Sequence, residues 1–208
     1  MRAYVGQTRA KDIIDGLRRA GIGECTLRGE LPPRRADYFY DNGAYTDHVS
    51  GSQFNVNQFM RDIRAMRQRG KGKASFERPA FIVLPDLVAR GLESLAESES
   101  WIEECVDVAP LYLAVQNGMS EGNIEALLAR QPGKIAGLFI GGTMDWKLGT
   151  AASWIVFAHA RGLKVHIGRV GTLERVRWAK AIGADSIDSS FPLWTRDRLA
   201  EFILEVAA

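Results

Sequence analysis

The feature that most constrains this chain is an alternation repeated from end to end: short apolar runs separated by amphipathic stretches. The runs are Ala3–Gly6, Cys25–Leu27, Tyr38–Tyr40, Phe81–Leu84, Leu111–Val115, Leu138–Ile140, Lys164–Ile167 and Ser186–Ile187, eight candidate strands. Several are continuous in Val, Ile, Leu or Phe, as parallel strands covered by helices are. Between them, apolar residues recur at three-and-four spacing: Ile13, Ile14 and Leu17; Val56, Phe59, Met60, Ile63 and Met66; Ile124, Leu127 and Leu128. The series continues with Trp154, Ile155 and Ala158, then Leu173, Val176 and Ala179, then Leu199, Phe202, Ile203 and Val206. That spacing gathers them on one helix face, and core packing is their plain explanation. Thr172 and Thr195 read as N-caps; Gly21, Gly70, Gly162 and Gly183 read as helix stops.

The pattern predicts an α/β chain folded as one compact (β/α)8 barrel of the TIM type over residues 1–208. An open doubly wound sheet is the runner-up. The segment from Arg28 to Asp37 is the weak point, because Pro32-Pro33 leaves little space for a second helix. With 46% apolar and 25% charged residues, the chain is neither disordered nor fibrous. A net charge of +2 neither demands nor excludes a polyanionic partner. Cys25 and Cys105 supply neither a four-cysteine zinc site nor a disulfide framework. The segment MRAYVGQTRAKD lacks the apolar core of a signal peptide, and no apolar run approaches the ~20 residues that span a bilayer. The expectation is a cytoplasmic domain without membrane association.

In such a barrel the C-terminal strand ends face the active site. Those ends read Asp41-Asn42-Gly43-Ala44-Tyr45, Pro85-Asp86, Gln116-Asn117-Gly118, Gly141-Gly142, His166-Ile167-Gly168-Arg169 and Asp188-Ser189-Ser190. Three carboxylates, an amide and a Gly-Gly turn therefore converge on one mouth. Each aspartate taken alone is a helix cap or turn residue; the set asks for more. Two carboxylates across a small pocket divide nucleophilic attack and proton transfer, as in retaining glycoside chemistry. A third carboxylate beside a glutamine reads the hydrogen-bonding edge of a heterocycle, and Gly-Gly lets backbone approach a flat ligand. A divalent metal on the aspartates is the disfavoured alternative, because the strands offer no compact carboxylate or histidine spacing.

At this point the residues resemble the tRNA-guanine transglycosylases and their 7-deazaguanine DNA-modifying relatives. YFYDNGAY resembles the family's Asp-Ser-Gly-Gly-type motif, which implies the general base at Asp41. FIVLPDLV resembles the strand that reads the incoming base, implying that role for Asp86, and LYLAVQNG resembles the Val-Gln-Gly strand, implying it for Gln116. GLFIGGT is similar to the Ile-Gly-Gly turn, so the backbone of Gly141 and Gly142 would line the base pocket. GADSIDSS resembles the nucleophile segment, with the nucleophile at Asp188 rather than Asp185. The resemblance runs from about Tyr38 to Ser190. It implies base exchange by two displacements through an aspartyl intermediate, with a free 7-deazaguanine base and no metal or redox cofactor. The tRNA enzymes carry a Cys-x-Cys-x-x-Cys…His zinc site after the nucleophile strand; no cysteine follows Ser190 here. The implied fold thus lacks a zinc subdomain, and the implied polymer is DNA, with tRNA as the alternative.

Cations in the expected strand-to-helix loops are Arg9, Lys11, Arg28, Arg34, Arg35, Lys147, Arg169 and Arg196, with Trp146 and Trp194 nearby. They would track a nucleic-acid backbone and stack on bases beside a flipped nucleotide. Trp154 and Trp178 read as core. Tyr45 either stacks on the base or packs in the ordinary way. His48 and His166 read as surface or core residues, with proton transfer as the alternative. The densest basic run, Arg61, Arg64, Arg67, Arg69, Lys71 and Lys73, closes a helix and falls on the opposite rim. It reads as a solvated face unless the loop over 70–78 folds back or a homodimer presents it. Rival functions are a plain glycoside hydrolase and a non-catalytic nucleic-acid-binding paralogue that partners an active enzyme.

Overall fold

A computed structural model of the chain describes residues 1–69 and 76–208. Eight strands close into a parallel barrel in sequence order: β1 (Arg2–Gly6), β2 (Gly23–Leu27), β3 (Tyr38–Asp41), β4 (Ile82–Val83), β5 (Leu111–Val115), β6 (Ile135–Ile140), β7 (Lys164–Ile167) and β8 (Ser186–Ser189). β1 pairs with both β2 and β8, so no edge is left open. All eight expected runs become strands, with ends moved by a few residues, and the doubly wound alternative is excluded.

Nine α-helices surround the barrel among the described residues: α1 (Lys11–Arg19), α2 (Ala44–Ser50), α3 (Val56–Arg67), α4 (Leu92–Ser100), α5 (Ile102–Cys105), α6 (Glu121–Arg130), α7 (Met144–His159), α8 (Leu173–Ala181) and α9 (Arg196–Ala207). Each expected apolar stripe falls on one of them. Thr172 accepts from Arg175 N and Thr195 from Arg198 N, as N-caps do. Gly21, Gly162 and Gly183 take the left-handed conformation just past their helices; Gly70 lies outside the described residues. α2, α4 and α5 carry no clear apolar stripe and are additions to the sequence pattern.

No helix follows β2. The segment 28–37 is a loop whose Arg35 side chain turns inward, donating to Val5 O at 2.5 Å and Gly23 O at 2.8 Å. It lies beside the buried Glu24 carboxylate, which accepts from Gln7, Thr26 and Arg34 N. Pro32 and Pro33 lack the N–H groups a helix needs, and this polar plug fills the missing helix's place.

Strand residues alternate between two cores. Outward side chains such as Val5, Tyr40, Ile82, Leu113, Ile140, Val165 and Ile187 pack against the helix stripes. Each such fully buried aliphatic side chain contributes about 1.5–3 kcal/mol. Inward side chains form an aromatic slab: Tyr112 stacks on Phe81 at 3.9 Å, Phe81 on Phe39 at 4.6 Å, and Phe139 on His166 at 5.1 Å. The slab closes the barrel's interior and is the floor on which the mouth is built. No described helix is long and apolar enough to cross a membrane.

Candidate active site

Above the slab lies a narrow pocket of about 60 Å³, lined by Asp41, Tyr45, Asp86, Gln116, Gly141, Gly142 and Arg169 among others. It shares Tyr45, Gln116, Gly142 and Arg169 with a wider cleft of about 620 Å³. Residues from five strand ends and the first turn of α2 are thereby brought to one place.

Asp41 ends β3, and its Oδ1 accepts from Gly43 N at 2.8 Å. Burial above all, then repulsion from Asp188 and Asp86, pushes its carboxyl up to about 7, although the Gly43 N–H and Arg169 pull the other way. Asp86 follows β4, and its Oδ1 accepts from Asn42 Nδ2 at 2.8 Å. Burial pushes it up to about 6 against the Asn42 amide and Arg169. Asn42, itself buried, also donates to Leu84 O at 2.7 Å and so ties the third strand end to the fourth. Its place in Asp41-Asn42-Gly43 was the only sequence signal for this clamp.

Asp188 projects inward from β8, two residues above Ser186 on the same face. Its Oδ1 lies 3.0 Å from His166 Nε2, and Arg169 N donates to Oδ1 at 3.1 Å and Oδ2 at 3.2 Å. The buried Cys25 thiol is pushed well up, first by burial and then by Asp41 and Asp188, which keeps it protonated.

Gln116 is 3% exposed and fully engaged with the protein. Its carbonyl accepts from Ala89 N at 2.6 Å, while its amide donates to Leu87 O at 3.0 Å and Ser94 Oγ at 2.7 Å. It thus holds the loop between β4 and α4, including Ala89 in the left-handed conformation. Gly142 also needs its lack of side chain: φ is 71°, and a Cβ would meet Asn117 Oδ1 at 2.6 Å and Trp146 at 2.8 Å. Tyr45 is 47% exposed, and the Arg169 guanidinium carbon lies 3.8 Å from its ring centroid. Arg169 also donates to Gly142 O at 2.8 Å.

The remaining expected nucleic-acid contacts divide. Trp194 is 60% exposed beside the mouth, with the Arg198 guanidinium 4.7 Å from its ring. Arg34 is exposed and lines a separate polar recess with Arg9, Gln7 and Thr8. Arg35 and Lys147 are inside: Lys147 is 1% exposed, donates to Gly168 O at 2.5 Å, and is pulled down to about 8, chiefly by burial. Neither reaches a surface phosphate from there. In the basic run, Arg67 pairs with Asp107 and Arg69 with Glu77, and Lys71 and Lys73 lie outside the described residues. His48 is exposed on the wider cleft; Trp154 is core and Trp178 half-buried. Among the described residues, no three His, Cys, Asp or Glu side chains gather closely enough to hold a metal ion.

The chain matches no protein-family model and no curated protein.

Proposed function

We propose that this barrel is a base-exchanging transglycosylase that replaces guanine in cytoplasmic DNA with a 7-deazaguanine of the preQ0 type. Asp188 attacks the anomeric carbon of the target nucleotide, forming a glycosyl–aspartyl ester as the bond to guanine N9 breaks and guanine takes a proton. The N9 of the deazapurine then attacks the same carbon, the ester breaks, and the N9 proton leaves. Asp41 gives the first proton and receives the second.

The observation that carries the reading is two carboxyls in unlike surroundings at one barrel mouth: Asp41 lines the deep pocket, and Asp188 lies close enough to repel it without lining that pocket itself. Asp41 is pushed up to about 7, where it both gives and takes a proton near neutral pH, while Asp188 is held by donors on its two oxygens. Asp86 and the Gly141–Gly142 backbone line the same pocket and supply acceptors and a close approach for a flat heterocycle. Exposed Trp194 and Arg34 offer stacking and phosphate contacts to the polymer.

The test is incubation with labelled preQ0 and, in parallel, duplex DNA, single-stranded DNA and bulk tRNA. Label in DNA is the expected result. Label in tRNA alone keeps the chemistry and changes the polymer; no label in any polymer removes the assignment and favours a binding role.

A further inference from the structure

Two donors hold the Asp188 carboxylate, and each is backed by a further group. The first is His166, fully buried in the aromatic slab between Phe39, Phe81 and Phe139. Its Nε2 faces Asp188 at 3.0 Å and its Nδ1 faces Ser186 Oγ at 2.9 Å. Burial lowers the ring's proton affinity more than Asp188 restores it, which leaves one ring proton. A carboxylate only accepts, so that proton sits on Nε2, and the Ser186 hydroxyl donates to Nδ1. Ser186 is 6% exposed at the slab level, so the Ser186–His166–Asp188 series presents its carboxylate, not its hydroxyl, to the mouth.

The second donor is the Arg169 amide, which reaches both carboxylate oxygens. The carbonyl of that same peptide unit is Gly168 O, and it accepts from Lys147 Nζ at 2.5 Å. A cation on the oxygen of a peptide strengthens the N–H at its other end, more so where water is excluded. The buried ammonium of Lys147 thus bears on Asp188 without touching it. Neither His166 nor Lys147 lines the deep pocket, although Lys147 borders the wider cleft.

We propose that His166 and Lys147 are positioning residues that fix the Asp188 carboxylate in one orientation, His166 by a direct hydrogen bond and Lys147 through the Gly168–Arg169 peptide. The inference rests on Asp188 as the nucleophile of the proposed exchange. With Oδ1 taking both His166 and Arg169, Oδ2 keeps the freer lone pair and is the oxygen that attacks.

Two sets of measurements test this. In the resting protein, ¹⁵N NMR should find His166 as the Nε2–H tautomer, and Lys147→Met should move the Arg169 amide proton upfield. A δ-tautomer, an imidazolium at neutral pH, or an unmoved Arg169 amide overturns the proposal whether or not bases are exchanged. In the exchange assay, His166→Phe should lower the rate of covalent capture about a hundredfold, as misplaced reacting groups do. His166→Gln, which keeps an N–H donor, should recover part of that loss. Lys147→Met, close in volume and free of a buried charge, should lower kcat about tenfold with KM unchanged. Wild-type capture rates in folded His166→Phe and Lys147→Met overturn the proposal. An inactive wild-type protein with the expected NMR result removes the exchange reading and leaves the held carboxylate standing.

Discussion

The guanidinium of Arg169 lies over the ring of Tyr45, 3.8 Å from its centroid, and is tied to Gly142 O. It covers the face on which a base would stack, and with it in place the deep pocket has room for only a few waters, about 60 Å³. The same cation pulls the proton affinities of Asp41 and Asp86 downward. Arg169 has a φ of 58°, so glycine is the substitution that removes its side chain without backbone strain. In Arg169→Gly both carboxyls should titrate higher than in the wild type, Asp41 above about 7. Carboxylate ¹³C shifts followed against pH read this directly; an unmoved Asp41 titration would show that the guanidinium does not govern the site's charge.

A second consequence concerns stability. Asp41 titrates near 3.8 in its ordinary state and near 7 in the fold, so the folded chain binds its proton more tightly than the unfolded one. The stability this contributes is complete below about pH 4 and is lost as pH rises through 7. At pH 8 the ionised group costs the fold on the order of 4 kcal/mol. Asp41→Asn keeps an oxygen for the Gly43 N–H and carries no charge. It should therefore be more stable than the wild type at pH 8, with the advantage shrinking toward pH 5. Denaturant titrations at the two pH values check this, and a pH-independent difference would contradict it.

Asp41 also illustrates what sequence made legible. Its place at a strand end followed from the period of the apolar runs, and the same logic found Asp86, Gly142 and Asp188 at one mouth. Periodicity reports which face a residue takes, and that was enough for the barrel and for the ring of acids. It does not report where a long polar side chain ends. Arg35 and Lys147 sit in segments that read as exposed, yet both fold inward onto backbone carbonyls. His166 was visible as a core or surface residue with proton transfer as the alternative; its link to Asp188 depends on the register that sets His166 opposite Ser186. The short helix α2 was hidden because its seven residues show no stripe and follow a glycine turn.

Gln116 separates a structural role from a ligand-reading one. Its amide and carbonyl hold Leu87, Ala89 and Ser94, so Gln116→Leu leaves buried partners unsatisfied. The loss should be roughly 2–4 kcal/mol of unfolding free energy, since each abandoned buried group costs about 1–3 kcal/mol. Chemical denaturation measures it. A stable Gln116→Leu protein with weakened base binding would return the residue to the base-reading role.

Trp194 is the opposite case, a large apolar side chain left in solvent next to β8. It follows the short 3-10 turn Phe191–Leu193 that leads from β8 into α9, and its ring is flanked by Phe191 at 6.3 Å and by Arg198. The exposed indole is a flat stacking surface, and a nucleic-acid base is the partner that the neighbouring guanidinium would also favour. Trp194→Ala should weaken single-stranded DNA binding by about 1–3 kcal/mol while leaving thermal stability within about 0.5 kcal/mol. Arg34→Ala removes a charge instead of a stacking surface. It should reduce the salt dependence of binding by about one counterion, which Trp194→Ala should not do. Fluorescence anisotropy across a salt series distinguishes the two, and equal salt slopes for both variants would show that Arg34 does not meet a phosphate.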